Sequence, residues 1–198
     1  MDEYSLVYID DNPERALTRY LDEEFHSDDY EIVCSEIIFR PEDGYESLLL
    51  DSRVSTANII LIDSLLFENR TATEAKFTGE EFKLILKKIY PFIEVIVITQ
   101  NDTDSEIKKI AKYDRTQASS ASEYYALHLP GIINKAVDDI RQYRLLADLV
   151  KRNDVWEEIL KEKVMATLKG TNTYDALTKE DIDNLISAFK EIQESLNG

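Results

Sequence analysis

The sequence predicts an α/β fold: a doubly wound, five-stranded parallel sheet followed by an α-helical C-terminal extension. Short and almost wholly apolar runs alternate five times with segments of helical periodicity, a pattern typical of a parallel sheet with helices on both faces. The part of the chain beyond Pro130 then carries helical patterns alone. With 198 residues, 43% of them hydrophobic, the chain is long enough for one such core and a small appendage.

The apolar runs fix the order of the predicted elements. Strands are predicted over residues 4–10, 30–39, 57–63, 94–100 and 124–129. Helices are predicted after the first strand and over residues 45–54, 79–90 and 104–114. Asn12 is a good N-cap and Pro13 a good first residue for the first of these helices. Residues 115–123 are expected to form a loop.

The C-terminal third is expected to be helical throughout. A single long helix is predicted from Pro130 to about Leu168, because no Pro or Gly interrupts residues 132–168. A last amphipathic helix is predicted over 178–197. The resulting division is a sheet domain over residues 1–142 and a helical output or dimerisation region over 143–198.

The long predicted helix carries more apolar surface than one neighbour can cover. Leu146, Leu149, Trp156 and Leu160 recur at heptad-like spacing, and a second apolar line runs beside them. The 178–197 helix would cover one face only. We therefore expect a protein partner or self-association through 143–168, with a homodimer as the first expectation because two-fold pairing is the commonest closure.

Charge and composition restrict the class of partner. The formal net charge is −17, and residues 1–140, with 14 Lys and Arg against 29 Asp and Glu, carry −15 of it. A duplex-binding surface needs a basic face, so nucleic acid is disfavoured as a partner. The chain shows no spanning apolar run and no secretory leader, which predicts a cytoplasmic protein with no membrane contact. The only cysteine, Cys34, is expected to be a buried small hydrophobe.

Acidic residues follow two of the predicted strands. Asp10 and Asp11 end the first strand, Asp63 ends the third, and Thr99 lies at the end of the fourth. In doubly wound sheets the site lies at the carboxyl ends of the strands, so these side chains should meet. Clustered carboxylates favour Mg²⁺ and metal-assisted phosphoryl transfer to a carboxylate. The alternative is structural: Asp10 and Asp11 would only decorate the start of a helix.

Four segments resemble the receiver domain of two-component response regulators, over roughly residues 4–142. "VYIDDNPE" is similar to that family's first strand and acidic pair, and "ANIILIDSLL" to its third strand and phospho-accepting Asp. "EVIVITQ" is similar to the fourth strand with its switch Ser or Thr, and "TGEEF" to the start of the third helix. The resemblance implies a flavodoxin-like receiver fold.

The resemblance also implies roles for single residues. Asp63 would accept the phosphoryl group, and Thr99 would be the switch residue. Asp10 and Asp11, together with Asp63 and the backbone carbonyl of Leu65, would hold Mg²⁺. The phosphodonor would be a histidine kinase or another donor, and the chain would signal through its helical C-terminal region without further enzymatic activity.

The sequence departs from the family in two places. The family has a Lys before a Pro after its fifth strand, whereas "YYALHLP" has none, so His128 or Leu129 would take the place of that Lys, His128 being the candidate that can carry charge. The step from Asp63 to Gly79 spans 16 positions, so residues 68–78 are expected to be an insertion beside the site.

Other functions remain open at this point. A phosphorylation-independent pseudo-receiver adaptor or scaffold would use the same surfaces. A phosphatase of the haloacid-dehalogenase type would need an acid at position 12, and Asn12 has no carboxyl proton to donate. A DNA-binding regulator is disfavoured by the charge and by the lack of an Arg- or Lys-rich recognition helix.

Overall fold

The structure, a computed structural model, describes residues 1–40, 44–66, 78–99, 109–114, 116, 118–152 and 158–168. Its strands are β1 (Asp2–Asp10), β2 (Tyr30–Ile38), β3 (Ile59–Asp63), β4 (Glu94–Thr99) and β5 (Lys109–Ala111). Its helices are α1 (Arg15–Arg19, continued by a π-helical turn over Tyr20–Glu24), α2 (Tyr45–Leu50), α3 (Ser52–Thr56), α4 (Gly79–Ile89), α5 (Ala121–Lys151) and α6 (Glu158–Leu168). The predicted 178–197 helix, Trp156 and all of the 68–78 insertion except Thr78 lie outside the described residues.

The five strands form one parallel sheet in the order β2-β1-β3-β4-β5. This is the flavodoxin-like order of doubly wound folds, in which the order reverses beside β1. The predicted fold class is therefore confirmed, including the helical segment that follows the sheet. The crevice at this switch point opens between the carboxyl ends of β1 and β3.

Successive residues of each strand face opposite sides of the sheet, and both sides are covered. On one side, Val7, Ile60 and Val95 pack with buried residues of α2, α3 and α4. On the other side, Leu6 and Ile96 pack with buried residues of α1 and α5. Burial on both faces explains why the strand sequences are apolar runs rather than alternating patterns.

The fifth strand differs from its predicted position. Residues 124–129 belong to α5, whereas β5 is the three-residue segment Lys109–Ala111, inside the stretch predicted to be a helix. The strand is short and places only Ile110 in the core, so its apolar signal is weak. The helix is favoured because the Ser120 side chain accepts a hydrogen bond from the Glu123 N–H, and the buried residues that follow recur at helical spacing.

The long C-terminal helix also differs from the prediction. It begins at Ala121 and ends at Lys151, so Pro130 lies inside it, and α6 is a separate helix. A proline there lacks the N–H that would bond the Ala126 carbonyl, a loss that the packed helix tolerates. No helix in the described ranges combines the length and apolarity needed to cross a membrane.

Helix α5 is anchored at the amino-terminal edge of the sheet before it extends beyond it. Tyr143 donates a hydrogen bond to Glu94 Oε1 at 3.0 Å, and Lys87 binds the same oxygen at 3.0 Å. The Arg144 guanidinium lies 4.4 Å from the centre of the Tyr4 ring. Because α5 continues without a break through residue 142, the division into 1–142 and 143–198 stays a prediction.

Gly79, the first residue of α4, packs directly on the backbone at the end of β3. A Cβ there would lie 2.4 Å from the Asp63 carbonyl oxygen and 2.9 Å from Ser64 Cα. We expect Gly79→Ala to lower the free energy of unfolding by about 2 kcal/mol, because two backbone segments would have to separate. Urea unfolding measures this change.

Gly131→Ala is the matched control, since a Cβ at that exposed position of α5 meets nothing within 4 Å. This substitution should stabilise the protein by about 0.5 kcal/mol through helix propensity. Equal effects of the two substitutions would contradict the close approach at Gly79.

Candidate acidic site at the carboxyl ends of the strands

Strand register brings two carboxylates together. Ile9 of β1 pairs with Ile62 of β3, so Asp10 and Asp63 are the next neighbours along the two strands. Both lie on the sheet face that packs against α1 and α5, since residues two positions earlier belong to that core. Both residues are buried: Asp10 is fully buried, and the exposed fraction of Asp63 is 2%.

Asp11 completes a cluster of three acids. One carboxylate oxygen from each of Asp10, Asp11 and Asp63 lies within 4.8 Å of the others. The structure thus brings together the three residues that the sequence placed at this edge. Hard oxygen donors at this spacing suit a divalent cation such as Mg²⁺.

Lys112 is the residue that sequence analysis missed. It directly follows β5, and its Nζ lies 2.7 Å from Asp63 Oδ1 and 3.3 Å from Asp10 Oδ2. The expectation that the chain lacks a lysine here is therefore wrong, and so is His128 as its replacement. His128 lies in α5, with its ring centre 4.6 Å from that of Tyr124. Tyr113 stands after Lys112, where the family has a proline.

The error over Lys112 has a local cause. The predicted fifth strand at residues 124–129 lies beyond Lys112, so the lysine that follows the true strand fell outside the expected position. The segment "IAK" does contain a signal, because Ile110 and Ala111 are followed by a cation. Three residues with one buried side chain are too few for a periodic pattern to stand out.

The backbone around Asp63 fixes the position of its carboxylate. The Leu65 N–H donates to Asp63 Oδ2 at 3.1 Å, and the Gly79 N–H donates to the Ser64 carbonyl at 2.8 Å. Burial raises the pKa of Asp63 above its ordinary value and the charge of Asp10 adds to this rise, while Lys112 opposes it. The surroundings of Asp63 therefore favour its protonated form more than water does.

The Lys112 ammonium is held by the two carboxylates. Burial alone would lower the pKa of Lys112, but its hydrogen bond to Asp63 and the charge of Asp10 outweigh burial, and the pKa is raised. Lys112 is therefore positively charged at neutral pH. Together with the three acids it leaves a formal charge of −2, which a divalent cation would neutralise.

Asp10 is fixed by two further donors. The Asn12 N–H donates to Oδ1 at 2.9 Å, and the phenol of Tyr8 donates to Oδ2 at 2.6 Å. Burial, with the neighbouring charge of Asp10, strongly raises the pKa of Tyr8, so the phenol stays protonated and acts as a donor. Nothing in the sequence pattern distinguished Tyr8 from the other core residues of β1.

Thr99 lies buried at the end of β4, one residue beyond the partner of Asp63 in that strand. Its carbonyl accepts a hydrogen bond from the Lys112 N–H at 2.7 Å. The backbone at Thr99 and the lysine of the site are therefore joined directly. The role of Thr99 as a switch residue stays a proposal.

Comparison with known proteins adds one structural similarity. No family model and no curated protein matches the chain. Among solved structures, it is similar to a two component transcriptional regulator AraC from Clostridium phytofermentans ISDg. The identity is 15% and the TM-score 0.38, over 72% of this chain and 98% of that chain. At that level the similarity says nothing about function, so the class of the protein rests on its own sheet and site.

The sheet order and the buried acidic cluster define that class. A parallel sheet in the order β2-β1-β3-β4-β5 with acids at the ends of β1 and β3 is the arrangement of a receiver domain. The resemblance read from the sequence is confirmed at this level. The chain thus has a receiver-like sheet and acidic site, followed by a helical segment after the sheet.

Replacing the lysine of the site should leave its carboxylates uncompensated. We expect Lys112→Met to lower the free energy of unfolding by about 3 kcal/mol at neutral pH, since it breaks a largely buried ion pair. Asp63 has a raised pKa in the folded state, so its carboxylate takes up a proton as the pH falls through that value. The loss of unfolding free energy caused by Lys112→Met should therefore become smaller at acid pH. Urea unfolding across a range of pH checks both effects.

Lys88→Met removes an exposed cation from α4 and serves as the control, with an expected change below about 0.5 kcal/mol. A deficit in Lys112→Met that is the same at acid and neutral pH would show that the loss comes from packing rather than from charge.

Proposed function

We propose that the chain accepts a phosphoryl group on Asp63, with Mg²⁺ bound by the acidic cluster, and that it signals through protein contacts of its helical C-terminal region. The single observation that carries this proposal is Lys112. Its ammonium contacts Asp63 and Asp10 from the end of β5, and it supplies the cation that was expected to be absent at the position of the family lysine. A histidine kinase or a small phosphodonor would be the source of the phosphoryl group.

The transfer needs a nucleophile and a cation, and the described residues provide both. One oxygen of the Asp63 carboxylate attacks the phosphorus of the donor and forms a new O–P bond. The bond from phosphorus to the donor breaks, and the donor leaves with its electron pair. Lys112, already 2.7 Å from the acceptor carboxylate, can pair with the added negative charge on the phosphoryl oxygens.

The donor set of the site fits Mg²⁺. Asp10, Asp11 and Asp63 would hold the ion together with the backbone carbonyl of Leu65, and all of these ligands are hard oxygens. When bound, Mg²⁺ would lower the negative charge that opposes approach of a phosphodonor. Asn12 and Tyr8 orient Asp10, and the Leu65 N–H orients Asp63, before any ion binds.

The surface of α5 beyond the sheet supports a role in protein contacts. Leu145, Leu146 and Leu149 are about half or more exposed there, with exposed fractions of 61%, 49% and 58%. These three residues follow Arg144, whose guanidinium lies over the Tyr4 ring of β1. Neighbouring exposed leucines support a protein-binding surface at this part of α5. The proposed partner is a second copy of the chain, through residues 143–168.

Asp63 should become phosphorylated by acetyl phosphate in the presence of Mg²⁺. Intact-mass analysis should show a gain of one phosphoryl group on the wild-type chain. The gain should be absent for Asp63→Asn, which removes the nucleophile, and absent when the metal is removed by a chelator.

Asp114→Asn, which changes an exposed acid in the loop after Lys112, is the control and should be labelled like the wild type. If the wild type gains no mass under conditions that label an ordinary receiver, the chain belongs with the phosphorylation-independent adaptors instead.

Self-association through α5 should depend on its exposed leucines. We expect the full chain to sediment as a dimer at micromolar concentrations, and the double substitution of Leu145 and Leu149 by Glu to sediment as a monomer. Two charges on each copy would have to be buried in the interface. Analytical ultracentrifugation measures the change.

Leu127→Glu is the matched control, because Leu127 is an exposed leucine of the same helix in its N-terminal part, far from the proposed interface. A wild-type monomer would mean that the C-terminal helices cover each other within one chain.

A further inference from the structure

We propose that Tyr8 is a positioning residue for the acidic site. Its buried phenol fixes the Asp10 carboxylate for the metal, and Glu14 and Tyr125 link this arrangement to α5. The proposal rests on the proposed function, since it concerns a Mg²⁺ ligand of that site. It adds a residue in the core of β1 to those that the resemblance implies.

The first step is the position of Tyr8 on β1. Residues two apart on a strand point to the same face, so the Tyr8 side chain lies directly before that of Asp10. It is 2% exposed and packed with α1 and α5, and its hydroxyl reaches Asp10 Oδ2 at 2.6 Å. A phenylalanine would fill nearly the same space, so the hydroxyl is the distinctive feature.

The second step is the number of donors on Asp10. Tyr8 and Lys112 both contact Oδ2, while the Asn12 N–H occupies one position on Oδ1. Three donors from three directions leave the carboxylate one orientation. Hydrogen bonds of this kind to a metal-binding carboxylate hold it in place for the ion, and their loss typically weakens metal binding about 10- to 100-fold.

The third step is the connection to α5. The Glu14 N–H donates to the Tyr8 hydroxyl at 3.3 Å, and the Glu14 carboxylate accepts a hydrogen bond from Tyr125 at 2.5 Å. The Tyr113 N–H in turn donates to the Tyr125 hydroxyl at 3.3 Å. Tyr125 is a fully buried residue of α5.

These contacts join the two loops that border the site. One loop carries Asp11 and Glu14, the other carries Lys112 and Tyr113, and Tyr125 is bonded to both. A proline after Lys112 would have no N–H to donate, so Tyr113 makes this second bond possible. A movement of Lys112 or Asp10 at the site would therefore change the hydrogen bonds of Tyr125 in the N-terminal part of α5.

The test is a titration of the full chain with Mg²⁺ alone, in which the chemical shifts of the backbone amides are monitored by NMR. We expect Tyr8→Phe to raise the Kd for Mg²⁺ about 10-fold. Tyr125→Phe should raise it by a smaller factor, because it acts through Glu14. Tyr4→Phe is the matched control: Tyr4 lies on the same strand and face, but its hydroxyl contacts Asp2 at the opposite edge, and the Kd should not change.

A second measurement separates positioning from a general structural defect. The rate of labelling of Tyr8→Phe by acetyl phosphate should be reduced at low Mg²⁺ and should recover at saturating Mg²⁺. A merely structural role would leave the rate low at every Mg²⁺ concentration. If Tyr8→Phe does not fold, Tyr125→Phe decides the question in the same two measurements.

The two proposals fail in different ways. If the wild type binds Mg²⁺ and is labelled, but Tyr8→Phe and Tyr125→Phe match Tyr4→Phe in Kd, the positioning role is overturned and the proposed function stands. If the wild type neither binds Mg²⁺ nor is labelled, both are overturned.

Discussion

The ion pairs of Lys112 with Asp63 and Asp10 are the interaction on which the site depends. Two carboxylates buried at adjacent strand ends repel each other and lose their hydration, so they need a compensating charge. Lys112 supplies it from the end of β5, across β4 from Asp63. The contact also ties the edge of the sheet to its centre. Because β5 has only three residues and one core side chain, the ion pairs of the lysine that follows it help to hold the strand at the edge of the sheet.

The negative charge that remains at the site makes it suitable for a divalent cation. After Lys112 is counted, the cluster keeps a formal charge of −2, and its oxygens are oriented by donors from the backbone and from Tyr8. This arrangement supports the proposed phospho-acceptor role of Asp63, because it holds the carboxylate in place beside oxygens that suit a divalent cation. The close packing of Gly79 on the Asp63 backbone holds this strand end against the start of α4.

Helix α5 connects this site to the surface beyond the sheet. Its 31 residues extend about 46 Å at 1.5 Å per residue, from Tyr125 near the site to leucines past the opposite edge. Tyr125 is bonded to both loops of the site, and Tyr143 is bonded to Glu94 at the other end of the sheet. One rigid element thus touches the site, the core and the proposed interface. If the proposed function holds, α5 would connect the acidic site to the proposed interface within one helix.

Local sequence determined the sheet, four of its strands and the three acids. Long apolar runs and strand-end carboxylates are strong signals, because a strand buried on both faces can hold little else. The tertiary structure alone decided the fifth strand, Lys112 and the extent of α5. Lys109–Ala111 is a strand only because β4 offers a free edge, and Pro130 lies within a helix only because α5 packs along the sheet. Tyr8 looked like any core residue, since its hydroxyl gains a role only through the Asp10 carboxylate that the fold places above it.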